Sequence, residues 1–312
     1  MTLLHTLRSR KWPPVRLRSL LVLLSAIMVV TTTARADGPG DSMDELTPEQ
    51  AQVARQMLDF MTSIEAHFWS RVDTLNGVKP DKARTETLVM DAPENGHYEV
   101  RVRRGKVVEK AGVMTVTTTV EKPPFIIGGK WNRFVEVAAH PATPLVGMLH
   151  ATFSMQFSSK GNGNIGATID MMKAAQRPED LALFDDRITA VFKKHGVDRE
   201  RYRGKGCAQK REGPWKYYRP GTCTGVSMYG PDMLADETHF ALVSELYSTA
   251  VDTYFDLVQM RRRQNYTADD LAAQDAMRKG WLEDQLFWDV LARNFVPYEV
   301  WSAVNAPPVV KW

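Results

Sequence analysis

One α+β domain, with an antiparallel sheet in the middle of the chain and helices at both ends, is what this sequence predicts. Three observations carry that expectation. Apolar residues recur at three- and four-residue steps from Val53 to Val72 and again after Pro178, the period of a helix with one buried face. Between those regions the pattern switches to alternation in segments rich in Val and Thr. The connections between the alternating segments are short, which favours antiparallel neighbours over parallel strands with their long crossovers.

The first thirty-six residues stand apart from that domain. Arg8, Arg10, Lys11, Arg16 and Arg18 form a basic lead, and 20–30 is an apolar run too short to span a bilayer as a helix. Ala34-Arg35-Ala36 then offers a small-x-small cleavage pattern. Together these read as an export signal, cleaved near Ala36, with the mature chain periplasmic or secreted; an uncleaved anchor is the alternative. No later stretch is apolar enough to be an integral membrane segment. The leader holds six Lys/Arg and no acid, out of 40 basic and 37 acidic residues in the chain. The remainder therefore carries 34 against 37, a formal charge of −3, and implies no nucleic-acid or anionic-membrane partner.

Residues 37–46 are polar and contain Gly-Pro-Gly, so they read as a flexible leader to a domain over 47–312. Thr47-Pro48-Glu49-Gln50 marks a helix start, with threonine as N-cap, proline at the first helical position and glutamine to close a capping box. Asn76-Gly77 ends that helix. Strands follow over 97–103, 106–109 and 113–121, with Arg104-Gly105 as a turn. Arg101, Arg103, Arg104 and Lys106 read as solvated edge charges. Two more strands, 134–139 and 146–157, flank a proline-bearing connection. Helices are expected over 181–194, 237–263 and 267–289, with Arg261-Arg262-Arg263 as a solvated helix end. The Gly/Pro/Tyr-rich region 202–231 contains Cys207 and Cys223, a disulfide pair in an exported protein or two free thiols.

Several chemistries are set aside. No HExxH, GxSxG or P-loop lysine motif is present. Gly161-Asn-Gly163-Asn-Ile-Gly166 matches GxGxxG, but Ala167-Thr-Ile-Asp170 after it is β-like where a dinucleotide site needs a helix. It reads as a hairpin loop.

The pair His140 and His150 is the most informative feature. Over 146–157 the odd positions Leu149, Ala151, Phe153, Met155 and Phe157 are apolar, and the even ones include His150, Thr152 and Ser154. Antiparallel pairing with 134–139 would gather Glu136, His140, His150, Thr152 and Ser154 above one patch of sheet. Titratable and hydroxyl groups opposite an apolar face suit the floor of a binding site. Glu136, His140 and His150 also form an alternative metal-ligand set.

These residues resemble a family. Gly105-Lys-Val-Val-Glu109-Lys110-Ala111-Gly112-Val113, the spacing from His140-Pro141 through Pro144 to His150, Trp281-Leu-Glu283 running on to Trp288-Asp289, and the closing Ala306-Pro307-Pro308 to Trp312 are similar, in order, to oxygen-dependent coproporphyrinogen III oxidases. The resemblance covers most of the chain after the leader. It implies a large antiparallel β-sheet flanked by helices on both faces, in a homodimer. It implies oxidative decarboxylation of tetrapyrrole propionates with molecular oxygen as co-substrate and no required cofactor. His150 falls on the family's catalytic histidine, and Asp170 on an aspartate that holds pyrrole N–H groups. Glu136, His140, Thr152, Ser154, Arg219 and Arg278 are the substrate-binding candidates that follow. The chain departs from the family at Ser154, where the family has arginine, at Glu136 (a serine there), and at Tyr218-Arg219 and the glycine loop after it. Those departures leave open a non-catalytic haem- or porphyrin-binding protein on the same scaffold.

Overall fold

The computed structural model describes residues 43–92, 96–118, 129–158, 163–202, 225–229, 232–283 and 296–311. The leader 1–36, Cys207, Cys223 and Arg219 lie outside the described residues. Seven strands form one antiparallel sheet whose spatial order is the order of the sequence: β1 Glu86–Ala92, β2 Gly96–Arg104, β3 Val108–Thr117, β4 Gly129–Pro141, β5 Leu149–Ser158, β6 Gly163–Met171 and β7 Val226–Met228. Among the described residues five α-helices accompany them: α1 Pro48–Asn76, α2 Pro178–Lys194, α3 Glu237–Arg261, α4 Ala268–Glu283 and α5 Tyr298–Asn305. The protein is thus mixed α+β with a single antiparallel sheet.

Strand alternation sorts the side chains into two cores. Val113, Val135, Val137, Ala151, Phe153 and Ile169 face α1, α2 and α3 in one apolar cluster. Val100, Met114 and Ala138 face the other way, onto Met277 and Trp281 of α4 and Val300, Trp301 and Val304 of α5. Helices therefore cover both faces. None among the described residues is long and apolar enough to cross a membrane.

Local chemistry explains the first helix. Thr47 accepts the Gln50 backbone N–H through its hydroxyl at 3.3 Å, while the Gln50 side chain accepts the Thr47 backbone N–H at 3.0 Å. Gly77 closes α1 at φ 66°, a left-handed conformation that glycine adopts without a Cβ penalty. Thr47→Ala should cost about 1 kcal/mol, measured by urea unfolding, since it removes one satisfied donor of the first turn. Met43 and Leu46 pack against the core, so the chain is already anchored within the stretch read as a flexible leader.

From α3, Tyr247 and Tyr254 each donate a hydroxyl hydrogen bond of 2.9 Å to a sheet carbonyl, of Ala151 and Ala139 respectively. Seven residues are two helical turns, so both tyrosines descend from one side of α3 and tie it to β5 and β4.

Several expectations need correction. The segments 106–109 and 113–121 are not two strands, because the chain from Val108 runs unbroken through Thr117 as β3. Arg101 and Arg103 are not solvated: they pair with Glu65 (2.9 Å) and Asp73 (2.6 Å) of α1, and Arg103 lies 4.6 Å over the Trp69 ring. Arg261 is no free helix end either, since it takes both oxygens of buried Asp180 at 2.7 Å and Glu179 at 2.9 Å, joining α3 to α2. In each case an acidic helix residue remote in sequence desolvates a cation that looked exposed. Finally, β1 and α5 carried no expectation at all. The GxGxxG stretch is strand where a hairpin loop was expected: Gly163 opens β6, Gly166 lies inside it, and no helix starts on that last glycine; Gly161 lies outside the described residues.

One irregularity governs what comes next. The β3–β4 register shifts between Val108 and Lys110, leaving Glu109 as an extra residue. Strict alternation would put Val108 and Lys110 on one face. With the bulge, Val108 stays in the helix α1 core while Lys110 turns to the α4/α5 side.

Candidate functional site

The even-numbered face of β4, β5 and β6 carries the candidate site. Register sets it. His150 of β5 lies opposite Asp170 of β6, Thr152 opposite both Glu136 and Thr168, and Ser154 opposite Phe134 and Gly166. Directly paired residues of antiparallel strands point to the same side, with Cβ atoms about 5 Å apart. His150 and Asp170 therefore share one side of the sheet, and Glu136 joins them.

A chain of polar contacts fixes His150. Its Nε2 lies 3.2 Å from Oε1 of Glu136, a residue only 4 % exposed. Donation from Nε2 to the carboxylate leaves Nδ1 as the ring's lone-pair nitrogen, the arrangement a general base requires. The same Oε1 accepts a short hydrogen bond from the side-chain amide of Asn305, at the end of α5. Trp281 of α4 packs its indole on the His150 ring with centroids 4.8 Å apart. Its Nε1 donates to the Asn305 carbonyl at 3.1 Å. Two helices thus hold one imidazole, one through a carboxylate and one through an aromatic face. Asp170 accepts the Met171 backbone N–H at 2.8 Å through one carboxylate oxygen.

Toward β6 the surface is made of hydroxyls. Thr152 Oγ1 accepts the Thr168 N–H at 3.0 Å and lies 3.2 Å from the Tyr229 hydroxyl. Ser154 donates to the Gly166 carbonyl at 3.2 Å. Tyr229 lies so close to Gly166 that a Cβ there would meet its ring carbon at 2.2 Å. A glycine is needed at this point for close approach, not for backbone freedom. Half-exposed Tyr229 borders the site from the end of β7.

His140 shares the sheet face but not the opening. It is fully buried, and its Nε2 donates to the Asn305 carbonyl at 3.1 Å. Burial holds its pKa well below the usual histidine range, with Lys110 and Arg278 adding to the shift. It is a neutral buried imidazole beneath the end of α5, closed to substrate. Glu136, His140 and His150 do not converge as a metal set, and among the described residues no group of three or more His, Cys, Asp or Glu could hold an ion.

Arg278 is likewise committed. It pairs with Glu109, the bulge residue of β3, and donates to the Pro141 carbonyl at 3.2 Å. Gln274, one turn before it, donates to the Pro141 and Thr143 carbonyls at 3.1 and 3.3 Å. These two α4 side chains satisfy the backbone of the β4–β5 connection, the proline-bearing segment between the two histidines. Arg278 sits 5 % exposed in that role.

Lys110 of β3 has a structural task. Its ammonium caps α5, donating to the Ser302 and Ala306 carbonyls at 3.0 and 2.5 Å. Helix carboxyl ends present orphan carbonyls and negative potential, so a buried lysine is matched to them. Gly112, two residues on, lets α5 sit directly on β3: a Cβ there would meet Val304 Cγ2 and its carbonyl oxygen at 2.9 Å.

Sequence reasoning did not find Asn305, Tyr229 or the capping role of Lys110. The frame of α5 was available, since Pro297 precedes it and Pro307-Pro308 follows. The partnership of Asn305 with Glu136 spans 169 residues and leaves no local mark. The chain matches no family model, and no curated protein matches it.

Proposed function

We propose that this chain acts on a tetrapyrrole polycarboxylate at the β4–β6 face, as a divergent oxygen-dependent coproporphyrinogen-oxidase-like protein. One observation carries the reading: His150 and Asp170 are direct cross-strand partners on one face, with His150 held by buried Glu136. Nδ1 of His150 takes the proton that the reduced ring must lose. Asp170 accepts pyrrole N–H groups. In the net reaction a propionate loses carbon dioxide and a β-hydrogen with its electron pair, giving a vinyl group. Molecular oxygen takes the two electrons and two protons to become hydrogen peroxide. The residues supply proton transfer and orientation. The sequence pattern and the helix-covered antiparallel sheet both support the reading.

The test is aerobic turnover of coproporphyrinogen III by the mature protein, read as vinyl product and peroxide. His150→Ala should lower the rate by at least about 100-fold, the usual worth of a general base. No turnover by folded protein, with oxygen present, ends the catalytic reading. A second reading follows from Ser154, which stands where the resemblance expects arginine and spends its hydroxyl on the Gly166 carbonyl. Without that cation the same face serves as a porphyrin carrier. A spectral titration with haem and coproporphyrin then gives saturable binding that His150→Ala weakens, with no reaction to lose.

A further inference from the structure

We infer that Asn305, at the end of the last helix, is the positioning residue of the His150 centre, acting through Glu136. The inference rests on His150 being the reacting group of the proposed function. Its structural part stands on geometry alone.

Asn305 is 1 % exposed and joins the groups that hold the imidazole. Its side-chain Nδ2 donates to the Glu136 oxygen that also faces His150 Nε2. Its backbone carbonyl collects Trp281 Nε1 and His140 Nε2, both at 3.1 Å. Trp281 in turn covers the His150 ring. Both supports of the imidazole therefore pass through one residue.

The side-chain amide looks costly as a purely structural choice. Its Oδ1 is buried with no hydrogen-bond partner among the described residues. A leucine of similar size would avoid that orphan acceptor and fill the same space. What leucine cannot do is donate to Glu136. The amide divides the carboxylate between two donors and so limits how strongly it binds the proton on His150. It also fixes which oxygen faces the ring, since both donors share Oε1.

The helix that carries Asn305 is itself pinned at the carbonyl end by Lys110 and rests on Gly112. The positioning residue is thus mounted on the sheet that bears its target, through β3 as well as through β4. Rigid mounting of this kind is what holds a catalytic group within a fraction of an ångström.

The experiment follows the His150 ring carbon by NMR in the full chain with labelled histidine, His150→Gln supplying the assignment. Asn305→Leu withdraws one donor from Glu136, so the pair's first protonation moves up by about half a pH unit or more. In a Glu136→Gln background the same substitution leaves the His150 midpoint within about 0.2 unit, as expected when the effect travels through that carboxylate. An unmoved midpoint in Asn305→Leu overturns the inference. So does an equal shift in both backgrounds, which a purely structural role would give. If Asn305→Leu does not fold, Asn305→Ala takes its place. The unaltered protein offers an independent reading: the Asn305 side-chain amide protons titrate with the His150 midpoint, and indifference to it is equally fatal. Failure of tetrapyrrole turnover would remove the proposed reaction and leave this titration standing. An unchanged titration with turnover intact would remove Asn305 alone.

Discussion

Replacing Trp281 by alanine lowers the stability of the fold by about 3–5 kcal/mol, the range for truncating a large buried aromatic side chain. Three losses add together. The indole is buried in the α4/α5 core with Met277, Val300 and Trp301. Its Nε1 supplies one of the two donors to the Asn305 carbonyl, leaving His140 alone there. Its ring covers His150. Urea unfolding measures the first two. The third appears as faster carbethoxylation of His150 in the folded variant, since water and reagent gain one face of the ring. Trp281→Phe keeps most of the apolar body and loses only the N–H, so it should cost about 1 kcal/mol. A loss below roughly 1.5 kcal/mol for the alanine variant would mean that α4 is held on the sheet by Gln274 and Arg278 rather than by its aromatic anchor.

Stability rises with pH between roughly 7 and 9.5, and Lys110→Met abolishes most of the rise. Burial, with Arg104 adding to it, pushes Lys110 from 10.5 down to about 7. The sign follows from proton counting. Between those two values the unfolded chain holds a proton that the folded one has released. Raising the pH therefore favours the folded state, by up to about 1.4 kcal/mol per pH unit for one such group. The contribution is complete above the unfolded value and is lost as pH falls through about 7. Three other groups bound the window. Neutral His140 contributes its own dependence below the ordinary histidine range. Tyr247 and Tyr254, both raised by burial, oppose stability near pH 10 and above, where they ionise only in the unfolded chain. Denaturant midpoints at half-unit intervals check the expectation. Equal slopes for the lysine and methionine proteins would show that the ammonium stays charged against the α5 carbonyls throughout.

Both predictions concern contacts that no short stretch of sequence announces. The capping box at Thr47 was legible because all its members lie within four residues and the rule is local. Alternation in 149–157 was legible for the same reason, and it correctly assigned His150, Thr152 and Ser154 to one face. The shared side of His150 and Asp170 follows once β5 and β6 are taken as neighbours, because antiparallel pairing leaves only two choices of face.

His140 shows where such reasoning stops. Its periodicity is that of Glu136 and its spacing from His150 is suggestive, yet α5 and α4 close over it and leave it a neutral structural imidazole. Whether a polar strand residue meets water or a helix depends on what lies above the sheet, and strand periodicity carries no information about that. Arg101, Arg103 and Arg261 taught the same lesson with opposite sign: they looked solvated and are ion-paired, because their acids lie on other elements.

Hydrophobic period and capping chemistry, read residue by residue, were enough to specify an α+β chain with a central antiparallel sheet and to aim three of its polar side chains correctly. The extra residue at Glu109, the seat of α5 on Gly112 and the junction of His150, Glu136, Trp281 and Asn305 came only from packing. Local patterns reflect the energy of a residue and its near neighbours. A hydrogen bond between residues 136 and 305 forms only after the sheet has paired and two helices have docked, so its specificity lies in the assembled geometry.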